Sequence, residues 1–183
     1  MNAFLTIILA LVLALHAMIT TKQSTEQQII PLTRGLMLAL LVALAEGVAV
    51  ALGHWLGTLL QWSISNVDEL MFVGLLALVA LRFMLTAFNK HRPPYNLADN
   101  ATLLLFPIAT SINHLLAGMA VGFITSDGHF TWLLPIAVVC AGFLLVYWGV
   151  MSGRRQLVLH PRRWYLLGAL FLLMTAVSVY LPF

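Results

Sequence analysis

Apolar residues fall in six long runs, at about 3–20, 34–61, 69–88, 101–124, 131–151 and 163–181. Polar gaps separate them at 21–33, 62–68, 89–100, 125–130 and 152–162, and each gap holds breakers or charges: Pro31, Ser63 to Asn66, Pro93-Pro94, Asp127-Gly128 and Pro161. The runs are apolar on all sides. A membrane-spanning strand would alternate over about ten residues, so each run predicts an α-helix. At about 20 apolar residues per crossing, the pattern predicts an all-α integral membrane protein with six transmembrane helices in one membrane domain, residues 1–183. The second run is long for one crossing and is expected to tilt or to extend beyond the hydrocarbon. The first run has no Lys or Arg before it and Lys22 after it, so it predicts a retained helix and not a cleaved signal peptide.

Composition agrees with the pattern. The chain is 62% hydrophobic and 8% charged, with mean hydropathy +0.99, whereas a soluble domain carries about 25% charged residues. The net charge of +3 could suggest nucleic acid as a partner, but the placement of the charges points elsewhere. Lys22 and Arg34 flank the first gap, Arg82, Lys90 and Arg92 the third, and Arg154, Arg155, Arg162 and Arg163 the fifth. Those gaps share one side of a six-helix protein, so all nine basic residues lie there. The positive-inside rule makes that side cytoplasmic and predicts an N-out/C-out topology. Three helices per half, 1–88 and 101–183, require two repeats to be inverted, a common transporter plan. The single cysteine, Cys140, excludes an internal disulfide or a paired-thiol redox motif.

Polar residues inside the runs are the candidate chemistry. Glu46 sits mid-run, where an ionisable group costs about 2.5–3.5 kcal/mol or more by insertion scales. It is expected to face the bundle interior, as a functional group or as an acid locking two helices together. The fourth run holds Thr110-Ser111-Ile112-Asn113-His114. Thr110 and His114 share a face at four-residue spacing, and Asn113 lies about 100° round from His114. These oxygen and imidazole groups could ligate a divalent ion or hydrogen-bond between helices. His16 is a candidate partner. Gly53-xxx-Gly57 and Gly118-xxx-Gly122 permit close helix contact, read first as packing within the monomer. A homodimer or a partner subunit in the membrane is the alternative. Trp62, Trp132 and Trp164 read as interfacial residues.

Several short segments resemble the MntP-type manganese efflux pumps, six-helix proteins of the LysE-like transporter superfamily. They are Ala45-Glu46 followed by Gly53 and Gly57; Arg82-Phe83-Met84 with Ala87-Phe88; Ile108-Ala109-Thr110-Ser111-Ile112-Asn113; and Gly149-Val150-Met151-Ser152-Gly153-Arg154. The fourth-helix segment is the most specific. The resemblance implies a multi-pass exporter of the bacterial cytoplasmic (inner) membrane, with acids in helices 1 and 4 handling the cation. Here those positions hold His16 and Asn113, and only the helix 2 acid, Glu46, is kept.

The expectation is a secondary transporter of a divalent, manganese-like cation. Its site lies near the midplane between helices 1, 2 and 4, with Glu46, His16, Asn113, His114 and Thr110 as the metal-handling residues. The partners expected are the lipid bilayer and the small cation; no cofactor, nucleic acid or enzyme activity is expected. The alternatives are a non-transporting scaffold or subunit that keeps the fold, an exporter of a small organic solute, and a haem- or metal-binding membrane enzyme subunit using the histidines.

Overall fold

The computed structural model describes residues 3–28, 30–63, 68–89, 95–125 and 132–178. They form six α-helices: α1 (Ala3–Gln27), α2 (Leu32–Ser63), α3 (Asp68–Phe88), α4 (Asn100–Ile124), α5 (Leu133–Arg154) and α6 (Pro161–Val177). Five of these, α1 to α5, are long and apolar enough to cross a membrane, which makes the chain a multi-pass membrane protein. The described part of α6 has 17 residues. Helices are what an apolar chain must form where no water can satisfy its backbone. Lys90, Arg92, Pro93, Pro94, Asp127, Gly128, Ser65 and Asn66 lie outside the described residues, as does the Trp62 side chain.

Local chemistry sets the helix ends. Asp99 caps α4 by accepting from the Thr102 backbone N–H at 2.9 Å. Pro161 opens α6, at the position where its missing N–H costs nothing. After α5, Gln156 takes the left-handed conformation (φ 51°), while Leu157 N donates to Ser152 O and Gln156 N to Gly153 O, both at 3.0 Å. That pair of bonds is a Schellman closure with a glutamine where glycine is usual.

The main difference from the sequence pattern is at the first gap. Residues 21–27 are helical, not a loop. Lys22 is buried and ion-paired with Glu26 one turn on. Ser24 and Thr25 donate their hydroxyls to the backbone carbonyls of Thr20 and Thr21. These bonds let Lys22, Ser24 and Thr25 continue the helix, while the buried Thr21 hydroxyl has no hydrogen-bond partner among the described residues.

Helices α2 and α4 pack closely, as do α1 and α5; α2 also meets α5, and α3 meets α4 and α6. Both close pairs rest on glycines. A Cβ at Gly118 would stand 2.9 Å from Val50 Cα, one at Gly57 3.0 Å from Gly122 Cα, and one at Gly149 2.6 Å from Met18 O. The two glycine-spaced motifs thus face each other within the monomer. On the outer surface, Leu40, Leu44, Val48, Leu52 and Leu59 of α2 form an exposed apolar stripe, the side that lipid would cover. The segment before α4 is strapped down: Gln28 donates to Tyr95 O, Tyr95 N to Ser24 Oγ, and Arg34 to Leu97 O (3.0 Å) and Asn100 Oδ1 (2.8 Å). Leu97 is fully buried in a core cluster with Ile30, Leu38 and Phe106.

Candidate functional site

The candidate residues separate into two places. Glu46 is completely buried where α2 passes α4 and α5. Its Oε2 lies 3.5 Å from His114 Nε2, while neither carboxylate oxygen accepts a hydrogen bond among the described residues. The carboxylate has room because Gly142 of α5 has no side chain: a Cβ there would stand 2.6 Å from Oε2. His114 is also fully buried, and neither ring nitrogen has a hydrogen-bond partner among the described residues. The Thr110 hydroxyl donates to Pro107 O at 3.0 Å, so it is occupied within its own helix. Glu46 and His114 thus lie side by side in the buried space between α2, α4 and α5.

His16 and Asn113 stand elsewhere. Both line an open cavity of about 1130 Å³ between α1, α3, α4 and α6. The rotation of about 100° per residue that turns His114 toward α2 turns Asn113 into this cavity. Asn113 is 2% exposed, and its Oδ1 has no donor among the described residues. The His16 ring lies 5.6 Å from Phe83 and 5.7 Å from Tyr165. The Tyr165 hydroxyl is 3.1 Å from Thr20 Oγ1.

From His16 and Asn113 the cavity extends along α1 toward the end carrying the basic residues. Its α1 wall is His16, Thr20, Gln23, Ser24 and Gln27, one helical face at steps of four, seven, eight and eleven. Across from it lie Arg82, Thr86 and Asn89 of α3 and its following turn. Tyr95, Asn96 and Arg162 reach the rim, with the Arg162 guanidinium 4.8 Å above the Phe88 ring. Glu26 is the one carboxylate on the wall among the described residues, and it is already paired with Lys22. Among the described residues, no group of three or more His, Cys, Asp or Glu is close enough to hold a metal. Sequence reasoning missed Gly142 and the α1 polar wall. The wall was visible as a helix-spaced run of polar residues in what looked like a gap.

The arrangement offers an imidazole and an amide oxygen on the wall of an open cavity, with the buried Glu46 and His114 between α2 and α4. Comparison with known proteins gives this geometry a context. No solved structure matches the chain. A curated protein of Wolinella succinogenes, described as "Putative manganese efflux pump MntP 1", is 29% identical over 118 residues. The alignment covers 64% of this chain and 63% of that relative's length, so the chain spans less than two thirds of the relative it matches. The family model described as "Mntp: Putative manganese efflux pump" matches residues 29–180. That match runs from α2 through α6, takes in Glu46, Asn113, His114 and Gly142, and leaves α1 with His16 outside. It covers most of the chain, and on that ground the chain belongs to the MntP family.

Proposed function

We propose that the chain is a secondary transporter that exports a divalent, manganese-like cation across the bacterial cytoplasmic membrane. The ion enters from the basic end, which the positive-inside rule makes cytoplasmic. His16 and Asn113 contact it at the cavity floor. Glu46 and His114 hold the exchanged proton in the dry space behind Asn113. In this reading the cation meets His16 of α1 and Asn113 of α4 in the cavity, and Glu46 of α2 takes part from the other side of α4. With few carboxylates at hand, the cation keeps much of its water shell, which suits a hard ion that prefers oxygen ligands.

The observation that carries this reading is the pairing of His16 with Asn113 on one open cavity. The resemblance assigns cation handling to these two positions, and an unpaired amide oxygen is costly unless something is to bind it.

The reading includes an inverted 3+3 repeat, which the spacing of the glycine contacts supports. The carbonyls of Met18 and Lys22 back onto Gly149 and Gly153, and those of Leu115 and Met119 onto Gly53 and Gly57. A shift of 97 residues carries Met18 and Lys22 onto Leu115 and Met119; a shift of 96 carries Gly53 and Gly57 onto Gly149 and Gly153. The same shifts carry His16 onto Asn113 and Glu46 onto Gly142. The two floor residues are therefore counterparts, and Glu46 fills the space beside its own counterpart. Under this reading the cavity and Glu46 take the midplane position of sites in inverted-repeat transporters.

A second reading, export of a small organic anion, is favoured by Arg82 and Arg162 on the cavity wall. Metal accumulation in cells lacking and expressing the chain separates the two. The cation reading expects expression to lower cellular manganese and Glu46→Gln to abolish the effect. Unchanged accumulation of every divalent metal would remove it and leave the anion.

A further inference from the structure

The cavity opens toward one end, and the relation between the halves says where its counterpart lies. The 97-residue shift carries the α1 wall, His16, Thr20, Gln23, Ser24 and Gln27, onto Asn113, Ala117, Ala120, Val121 and Ile124 of α4. Asn113 is on the floor already. The next three lie shut: Ala117 and Ala120 are 0% exposed and Val121 6%, all in the apolar core, with Ile124 packed against it. In the other direction, cavity-lining Ala109 and Ile112 correspond to Val12 and Leu15, which belong to or pack on the same core. The open half of the bundle is thus polar, and the equivalent half is closed and apolar. The opening turn of α6 at the mouth, Pro161 and Arg162, has as its counterpart in chain order the opening turn of α3, Asp68 and Glu69, at the opposite end.

We propose that the exit route is a second cavity, absent while the first is open, along Ala117, Ala120, Val121 and Ile124 of α4 against Val12 and Leu15 of α1. It emerges beside Asp68 and Glu69 and releases a hydrated divalent cation there. This rests on the inverted-repeat transporter described above. Two halves of the same architecture in opposite orientation can exchange their conformations, with His16 and Asn113 common to both states. The unequal walls set the balance between the states. Water wets the partly exposed Thr20, Gln23 and Gln27 readily, whereas opening the alanine, valine and isoleucine wall exposes apolar surface. The chain therefore rests open to the basic end and opens to the other briefly, a route suited to release.

The test uses single cysteines in full-length chain carrying Cys140→Ser, in intact cells, with a membrane-impermeant cationic thiol reagent outside. Ala117→Cys and Val121→Cys are expected to react at least about fivefold faster than Met119→Cys, which lies on the face packed against α2. Equal rates, or faster reaction at Met119→Cys, overturn the proposal. A second variant exchanges the walls: Thr20→Ala and Ser24→Val together with Ala117→Thr and Val121→Ser. It should reverse the resting state, lowering the reactivity of Gln27→Cys in everted vesicles severalfold. No change in a variant that still purifies as a single species overturns the proposal; if the exchange does not fold, the single-cysteine comparison decides. Manganese efflux is measured in the same cells. Efflux with no difference between positions removes this route alone, while the difference without efflux keeps the route and removes the metal.

Discussion

Substituting Gly118 by alanine tests whether the α2–α4 contact depends on the missing side chain. The new Cβ would lie 2.9 Å from Val50 Cα and 3.0 Å from its carbonyl carbon. Carbon atoms rest at about 3.5–4.0 Å, and the atoms met are backbone, which cannot rotate away. The helices must then separate by roughly 0.5–1 Å along a contact that also includes Gly53, Gly57 and Gly122. Overpacking of this kind costs about 1–3 kcal/mol, against about 0.5–1 kcal/mol gained from replacing a helical glycine by alanine. The net expectation is a loss of up to about 2.5 kcal/mol. Gly74 supplies the control, because nothing lies within 4 Å of a Cβ there. Gly74→Ala should leave stability unchanged or raise it by up to about 1 kcal/mol. Reversible unfolding of purified protein in mixed detergent micelles measures both. Equal effects at the two positions would refute the account of the close pair.

Gly142→Ala places a methyl 2.6 Å from Glu46 Oε2 and so displaces the carboxylate; it should impair transport about as much as Glu46→Gln while the protein still purifies folded, and full transport by Gly142→Ala would separate the carboxylate's position from function. Gln156→Gly relieves a left-handed residue at the end of α5 and should stabilise by about 0.5–1 kcal/mol, read as a higher unfolding midpoint. Thr102 holds the Asp99 carboxyl below the ordinary aspartate range through its backbone N–H and hydroxyl. A depressed carboxylate contributes stability above its unfolded value, about 3.9, and loses it as pH falls through the lower folded value. Amide exchange at Thr102 should therefore rise in strong acid, and Asp99→Ala should make it fast at neutral pH as well.

The helices were legible because each apolar run exceeds what a soluble core would supply, and the predicted boundaries of α2 to α5 lie within a few residues of those observed. The end of α1 was not, since Lys22, Ser24 and Glu26 look like a loop in one dimension. Only in three dimensions do their pairs and carbonyl bonds show a helix continuing past the apolar run. Glu46 stood out as an acid within an apolar helix. Its neighbours did not, because His114 and Gly142 come from helices 68 and 96 residues away and glycine carries no chemical signature. The separation of Asn113 from His114 was legible in outline, as one residue turns a helix by about 100°. Which of the two faced the cavity depended on where α1 and α6 packed.

Uptake of manganese into everted membrane vesicles under an imposed proton gradient, acid inside, tests the central claim most directly. Vesicles containing the chain should accumulate the ion, collapse of the gradient or Glu46→Gln should stop it, and Asn113→Asp, which adds a carboxylate at the cavity floor, should lower the manganese concentration at half-maximal uptake. Uptake equal to that of vesicles without the chain, or uptake indifferent to both Glu46→Gln and Asn113→Asp, would contradict cation export through this cavity.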